Sequence, residues 1–95
     1  PESLRPVLEL FLHEAKNLTS KIKHDLENRN GESIAQTAHD LKGLAGVMTV
    51  LPVYMLGQRL EDLGRRESFE EAWQVHKEIC EVLDTVTERV NEFVA

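Results

Sequence analysis

His39 is the one histidine of the four whose neighbours suit chemistry on an exposed ring. On a helix turning about 100° per residue, Ile34, Ala38, Leu41, Ala45 and Met48 form the stripe that faces a core. His39, Gly43 and Gly46 fall roughly opposite that stripe, with Gln36 and Lys42 on its flanks. The ring is therefore expected to point at solvent. An imidazole of ordinary pKa, about 6.5, is largely neutral near physiological pH and can act as a nucleophile. Lys42, one turn on, would place a positive charge beside an incoming phosphoryl group and is expected to gain its partner only when that group arrives. Phosphoryl acceptance, whose loose transition state asks mainly for positioning and charge, is the chemistry this set suits.

The two glycines sharpen that reading. Each costs on the order of 1 kcal/mol in a helix interior relative to alanine, so stability does not account for them. Lying on the face of the histidine, Gly43 and Gly46 would clear a shelf on which another protein could approach the ring. Gly46 also stands where a helix could end on a left-handed residue. A helix stopping at Gly43 would bury almost nothing.

The remaining candidates are weaker. His13 and His24 read as solvated surface residues. His76 falls in the apolar seam of the last helix, one turn before Cys80, and such a pair could begin a zinc site. No second pair of ligands is visible, so a boundary histidine beside a buried thiol is the expectation. The chain has no Gly-rich phosphate loop, no Walker motif and no acidic cluster suited to magnesium, so ATP binding is not expected.

His39-Asp40-Leu41-Lys42-Gly43 followed by Ala45-Gly46 resembles the His-x-Leu-Lys-Gly-x-Ala-Gly signature of histidine-containing phosphotransfer (HPt) domains, the relay modules of multistep two-component signalling. The resemblance covers nearly the whole chain: an amphipathic helix near Phe11-Leu12, an Asn-Gly turn, the His helix, a third helix with Leu60-Glu61, and a long last helix. Leu44, Val47 and Thr49 depart from it, standing where that family more often has small or polar residues and a glycine. The resemblance implies a four-helix bundle that is not a kinase on its own. His39 would take a phosphoryl group from a receiver-domain aspartate and pass it to another receiver, with Lys42 stabilising the charge. It further implies that the magnesium belongs to the partner receiver, that this chain binds no cofactor or metal, and that the module is free or part of a hybrid sensor histidine kinase. Gln36, Gly43, Leu44, Gly46 and Val47, with Leu10 and His13 on the outer side of the first helix, are the expected docking residues. A helical adaptor or oligomerisation module, with His39 incidental, is the alternative; a metal-binding bundle is the more remote one.

The elements that must position these residues are all helical. Leu4, Leu8, Phe11, Ala15, Leu18, Ile22 and Leu26 mark a first helix from about Leu4 to Arg29. Asn30 is the expected N-cap of the second, which should run to about Met48. Pro52 fits the first turn of a third helix, ending near Arg65-Arg66, and Ser68 with Glu71 reads as a capping box. The last helix should run from Phe69 to Phe93 or Val94, with Phe93 on its seam. Short connections favour an antiparallel up-down-up-down four-helix bundle spanning residues 1–95 as one domain. Aromatics at 5% and three prolines agree with an all-α class. A net charge of −6 argues against a nucleic-acid or anionic-membrane partner, and no apolar run is long enough to span a bilayer. The single Cys80 fits a reducing compartment, so a cytoplasmic monomer is expected, and Pro1 in place of an initiator methionine suggests a fragment of a longer protein.

Overall fold

The computed structural model describes residues 4–94, with side-chain surroundings given to residue 92. Four helices follow one another: α1 (Leu4–Glu27), α2 (Gly31–Val47), α3 (Leu51–Arg65) and α4 (Phe69–Val94). Each packs on two neighbours in a closed ring, α1 on α2, α2 on α3, α3 on α4 and α4 on α1. The expected bundle is the observed one. Phe93 lies outside the residues whose side chains are described.

Three connectors of the same construction fold the chain back on itself. Each has three residues, and the middle one is left-handed: Arg29 (φ 52°), Thr49 (φ 58°) and Glu67 (φ 56°). The residue after it returns its N–H to a carbonyl five positions back, Asn30 to Asp25 at 2.9 Å, Val50 to Ala45 at 2.9 Å and Ser68 to Leu63 at 3.0 Å. These are Schellman closures, which satisfy the orphan carbonyls of a helix end. The same three residues then open the next helix, their carbonyls accepting from Ile34, Tyr54 and Ala72. Asn30 adds a side-chain cap, Oδ1 accepting from Ser33 N–H at 3.1 Å. At the third connector Glu71 turns to Arg59, 3.6 Å away, so the reciprocal capping box expected there does not form.

None of these left-handed positions is a glycine. Helix α2 runs through Gly46 to Val47, and Thr49 takes the left-handed place. Gly31, expected in an Asn-Gly turn, is instead the first residue of α2 and is buried. A Cβ there would run into the Gly64 carbonyl, and one on Gly64 would meet Ile34 Cγ2 at 2.9 Å and Ala35 N at 3.0 Å. Further along, a Cβ on Gly57 would touch the Lys42 backbone at 3.4 Å. Helices α2 and α3 therefore approach backbone to backbone, a spacing that real cores hold within fractions of an ångström.

Between the helices lies one core. Phe11, Ala15, Ile22 and Leu26 from α1 meet Ile34, Ala38, Leu41 and Ala45 from α2, Val53, Leu60 and Leu63 from α3, and Phe69, Ala72, Val75, Ile79 and Leu83 from α4. The stripe read from α2 is fully inside except Met48, which packs against its edge. Among the described residues no helix is long and apolar enough to cross a membrane.

Candidate functional site

The close seam between α2 and α3 brings four polar side chains together. Glu61 sits one turn after Gly57, on the α2-facing edge of α3, with its side chain only 10% exposed. Its Oε1 is 3.1 Å from Lys42 Nζ and 3.4 Å from His39 Nδ1, and its Oε2 accepts from Arg65 Nη1 at 2.6 Å. Burial pushes the Glu61 carboxyl up, but the hydrogen bonds from Arg65, Lys42 and His39 and the Lys42 charge outweigh it and hold the pKa at about 2. The group is therefore a carboxylate near neutral pH.

That fixes the character of His39. Its side chain is 57% exposed, as the helical wheel required. A carboxylate can only accept, so the contact with Glu61 places the ring proton on Nδ1. Nε2 keeps its lone pair and has no protein partner among the described residues. Gly43, one turn on, has open space where a Cβ would stand. A nucleophilic nitrogen facing out over cleared backbone, with two cations one carboxylate away, can attack an electrophilic phosphorus and bind the oxygens that come with it.

Residues 6–92 match the family model of the Hpt domain. The chain belongs to that family. No curated protein and no solved structure matches it. As an Hpt domain it is a phosphotransfer module of phosphorelays and not itself a kinase.

The expected docking residues of this Hpt domain divide. Gln36, exposed on the outer side of α2, donates from Nε2 to Asp40 Oδ1 at 3.2 Å. Val47 is 83% exposed. Gly46 is exposed but not empty, since a Cβ would meet the Tyr54 ring at 3.4 Å. Leu44 is a correction: it is half-buried and packs against the core. Leu10 is exposed on α1. His13 is exposed on α1 as expected, but it borders α4, lining a groove there with Leu12, Lys16 and Val90. Lys42 is not the unpartnered cation expected, because Glu61 already holds it and its side chain is only 21% exposed.

Sequence reasoning missed Glu61, Arg65 and the apolar residues of α3. Leu51, Tyr54 and Met55 are exposed and, with Val47, set a group of apolar side chains at and just beyond the α2–α3 turn. For Glu61 the available signal was a carboxylate between Leu60 and Leu63, at the edge of a buried stripe. His76 stands beside Cys80 as expected, but the burial is reversed: the histidine is buried and the thiol half-buried. His76 is 8% exposed, its Nε2 lies 2.9 Å from the Thr19 carbonyl and 3.9 Å from Cys80 Sγ, and Trp73 meets it edge to face. Among the described residues no three His, Cys, Asp or Glu side chains gather to hold a metal.

Proposed function

We propose that His39 is the phosphoacceptor of a relay, taking a phosphoryl group from the aspartate of one receiver domain and giving it to that of another. The observation that supports this reading most is the His39–Glu61 contact, which leaves Nε2 outward with its lone pair. In the incoming step the Nε2 lone pair attacks phosphorus in line as the bond to the aspartyl oxygen breaks, and the receiver's carboxylate leaves. Lys42 and Arg65 carry two positive charges against the single negative charge of Glu61, and that surplus suits the added phosphoryl oxygens. The outgoing step reverses the first on a second receiver. Magnesium is assigned to the receiver, and the chain's residues are left the tasks of positioning and charge.

The receiver would dock on the α2–α3 face, over Gln36, Gly43 and Gly46 and against the apolar group of Val47, Leu51, Tyr54 and Met55. Leu10 stands at its α1 margin. We place the exchange in the cytoplasm, with the domain acting as a monomer, in keeping with the acidic balance and lone cysteine. Incubation with a phosphorylated receiver and magnesium tests the reading: an acid-labile, base-stable label should appear on the wild type and be absent from His39→Gln. Equal labelling of that variant would overturn it.

A further inference from the structure

We infer that Glu61 is a positioning residue that keeps the proton on His39 Nδ1 after Nε2 is phosphorylated, and so sets the rate at which the phosphoryl group leaves. The inference rests on the reading of His39 as phosphoacceptor and concerns a different step.

Attack through Nε2 uses the lone pair of a ring already protonated at Nδ1. The product is a phosphorylated imidazolium carrying one positive charge. From that species transfer is direct: an aspartate oxygen attacks phosphorus, the N–P bond breaks with its electron pair returning to Nε2, and a neutral imidazole leaves with its Nδ1 proton in place. If the Nδ1 proton is lost to water first, the ring departs as an imidazolate, a far poorer leaving group. The state of one proton therefore decides whether the bound phosphoryl group is mobile or stored.

Glu61 stands where it can hold that proton. Its Oε1 is 3.4 Å from Nδ1, long for a hydrogen bond to a neutral ring. The contact gains strength once the ring is cationic, as charge-assisted bonds do, and apo geometry at catalytic groups is commonly loose. The carboxylate cannot drift away, because Lys42 from α2 and Arg65 from α3 grip it from both sides and its side chain is mostly buried. Those two cations and His39 are the charged or titratable groups facing Glu61; the neighbouring Asp40 is engaged by Gln36. Lys42 and Arg65 would both oppose a charged ring, so Glu61 is the group on this face that favours it.

Phosphorylating the protein with phosphoramidate loads His39 without a receiver, which separates this inference from the relay reading. Nitrogen NMR of the loaded ring across pH then reports the Nδ1 proton directly. In Glu61→Gln, which keeps size and an accepting oxygen, the midpoint for losing that proton should fall by about one pH unit, roughly tenfold in proton affinity. Loss of the phosphoryl group to water at alkaline pH should slow in step. A thermal melt checks that the variant is folded, and Glu61→Asp, whose shorter carboxylate cannot reach, should behave like Glu61→Gln if the variant unfolds. An unchanged midpoint in folded protein overturns the inference even if receivers accept the group. A shifted midpoint with no receiver able to take the group upholds it and sinks the relay reading instead.

Discussion

His39 and His76 are the same side chain in the same bundle, and the two seams that hold them make opposite things of it. On the α2–α3 seam the ring is exposed, its Nδ1 engaged by a carboxylate and its Nε2 free. On the α1–α4 side the ring is buried, and Nε2 is the engaged nitrogen, donating to a main-chain carbonyl that can only accept. Cys80 beside it follows the same rule, since burial and then the Asp84 charge push its thiol pKa up and favour the protonated form over the nucleophilic thiolate. A histidine is left available for attack or spent as a structural bolt according to which nitrogen is engaged and whether the other meets solvent.

Exchanging the two losses gives the largest effect. His39→Gln should lose all phosphoryl label with its unfolding midpoint unchanged. His76→Ala should keep the label and lose about 1–3 kcal/mol, from the Thr19 hydrogen bond and its packing. Labelling and thermal melts on both variants check the pair. Label retained by His39→Gln, or stability retained by His76→Ala, breaks the contrast.

The glycines of the α2–α3 seam sharpen it next. Gly64→Ala would force a Cβ against Ile34 and the backbone of α2 and should cost about 1–3 kcal/mol despite the better helix former. It should also slow transfer, because the helices it parts are those that bring Glu61 to His39. Gly43→Leu projects into open space and should raise stability by about 0.5–1 kcal/mol while slowing transfer from a receiver. Denaturation and single-turnover kinetics separate a glycine that sets helix spacing from one that clears a landing surface.

These residues also show what could be read in advance. Apolar periodicity placed all four helices and put His39 outward, because both depend only on spacing along one helix. Gly43 was legible for the same reason. Glu61, Arg65, Gly31 and Gly64 were not, since their roles exist only across the seam, and spacing within α2 says nothing of what α3 presents to it. Leu44 failed in the same way: its own helix placed it on an outer face, and packing against the neighbouring helices leaves it half-buried. His13 is exposed as its helix implied, but that it borders α4 could not be read from α1 alone. Thr49 shows the limit at turns, where a β-branched residue takes the left-handed place that a glycine fills more easily.

Acid should affect the two seams unequally. Glu61 has a folded pKa of about 2 against an ordinary 4.5, so its contribution to stability is complete above pH 4.5 and is lost as pH falls toward 2. The gap in unfolding midpoint between wild type and Glu61→Gln should be full near neutral pH and close across that window. A gap independent of pH would mean that the carboxylate's charge is not what binds the seam.

Lys42 carries the smallest expected effect, and the structure divides it between fold and chemistry. Its ammonium already has a partner in Glu61 at 3.1 Å, so Lys42→Ala removes a resting contact as well as a charge awaiting the phosphoryl group. A partly exposed ion pair of this kind is worth about 0.5–1 kcal/mol, which for a domain of this size lowers the midpoint by about 2–6 °C. The transfer rate should fall roughly tenfold if about 1.4 kcal/mol of transition-state stabilisation is lost, and respond less to salt than in wild type. Arg65 remains on the far oxygen of Glu61 and keeps the effect graded. Single-turnover transfer at low and high ionic strength, with a melt of each protein, measures both halves. If the midpoint falls while rate and salt dependence stay at wild-type values, Lys42 serves only to hold Glu61, and Arg65 carries the charge of the transfer step.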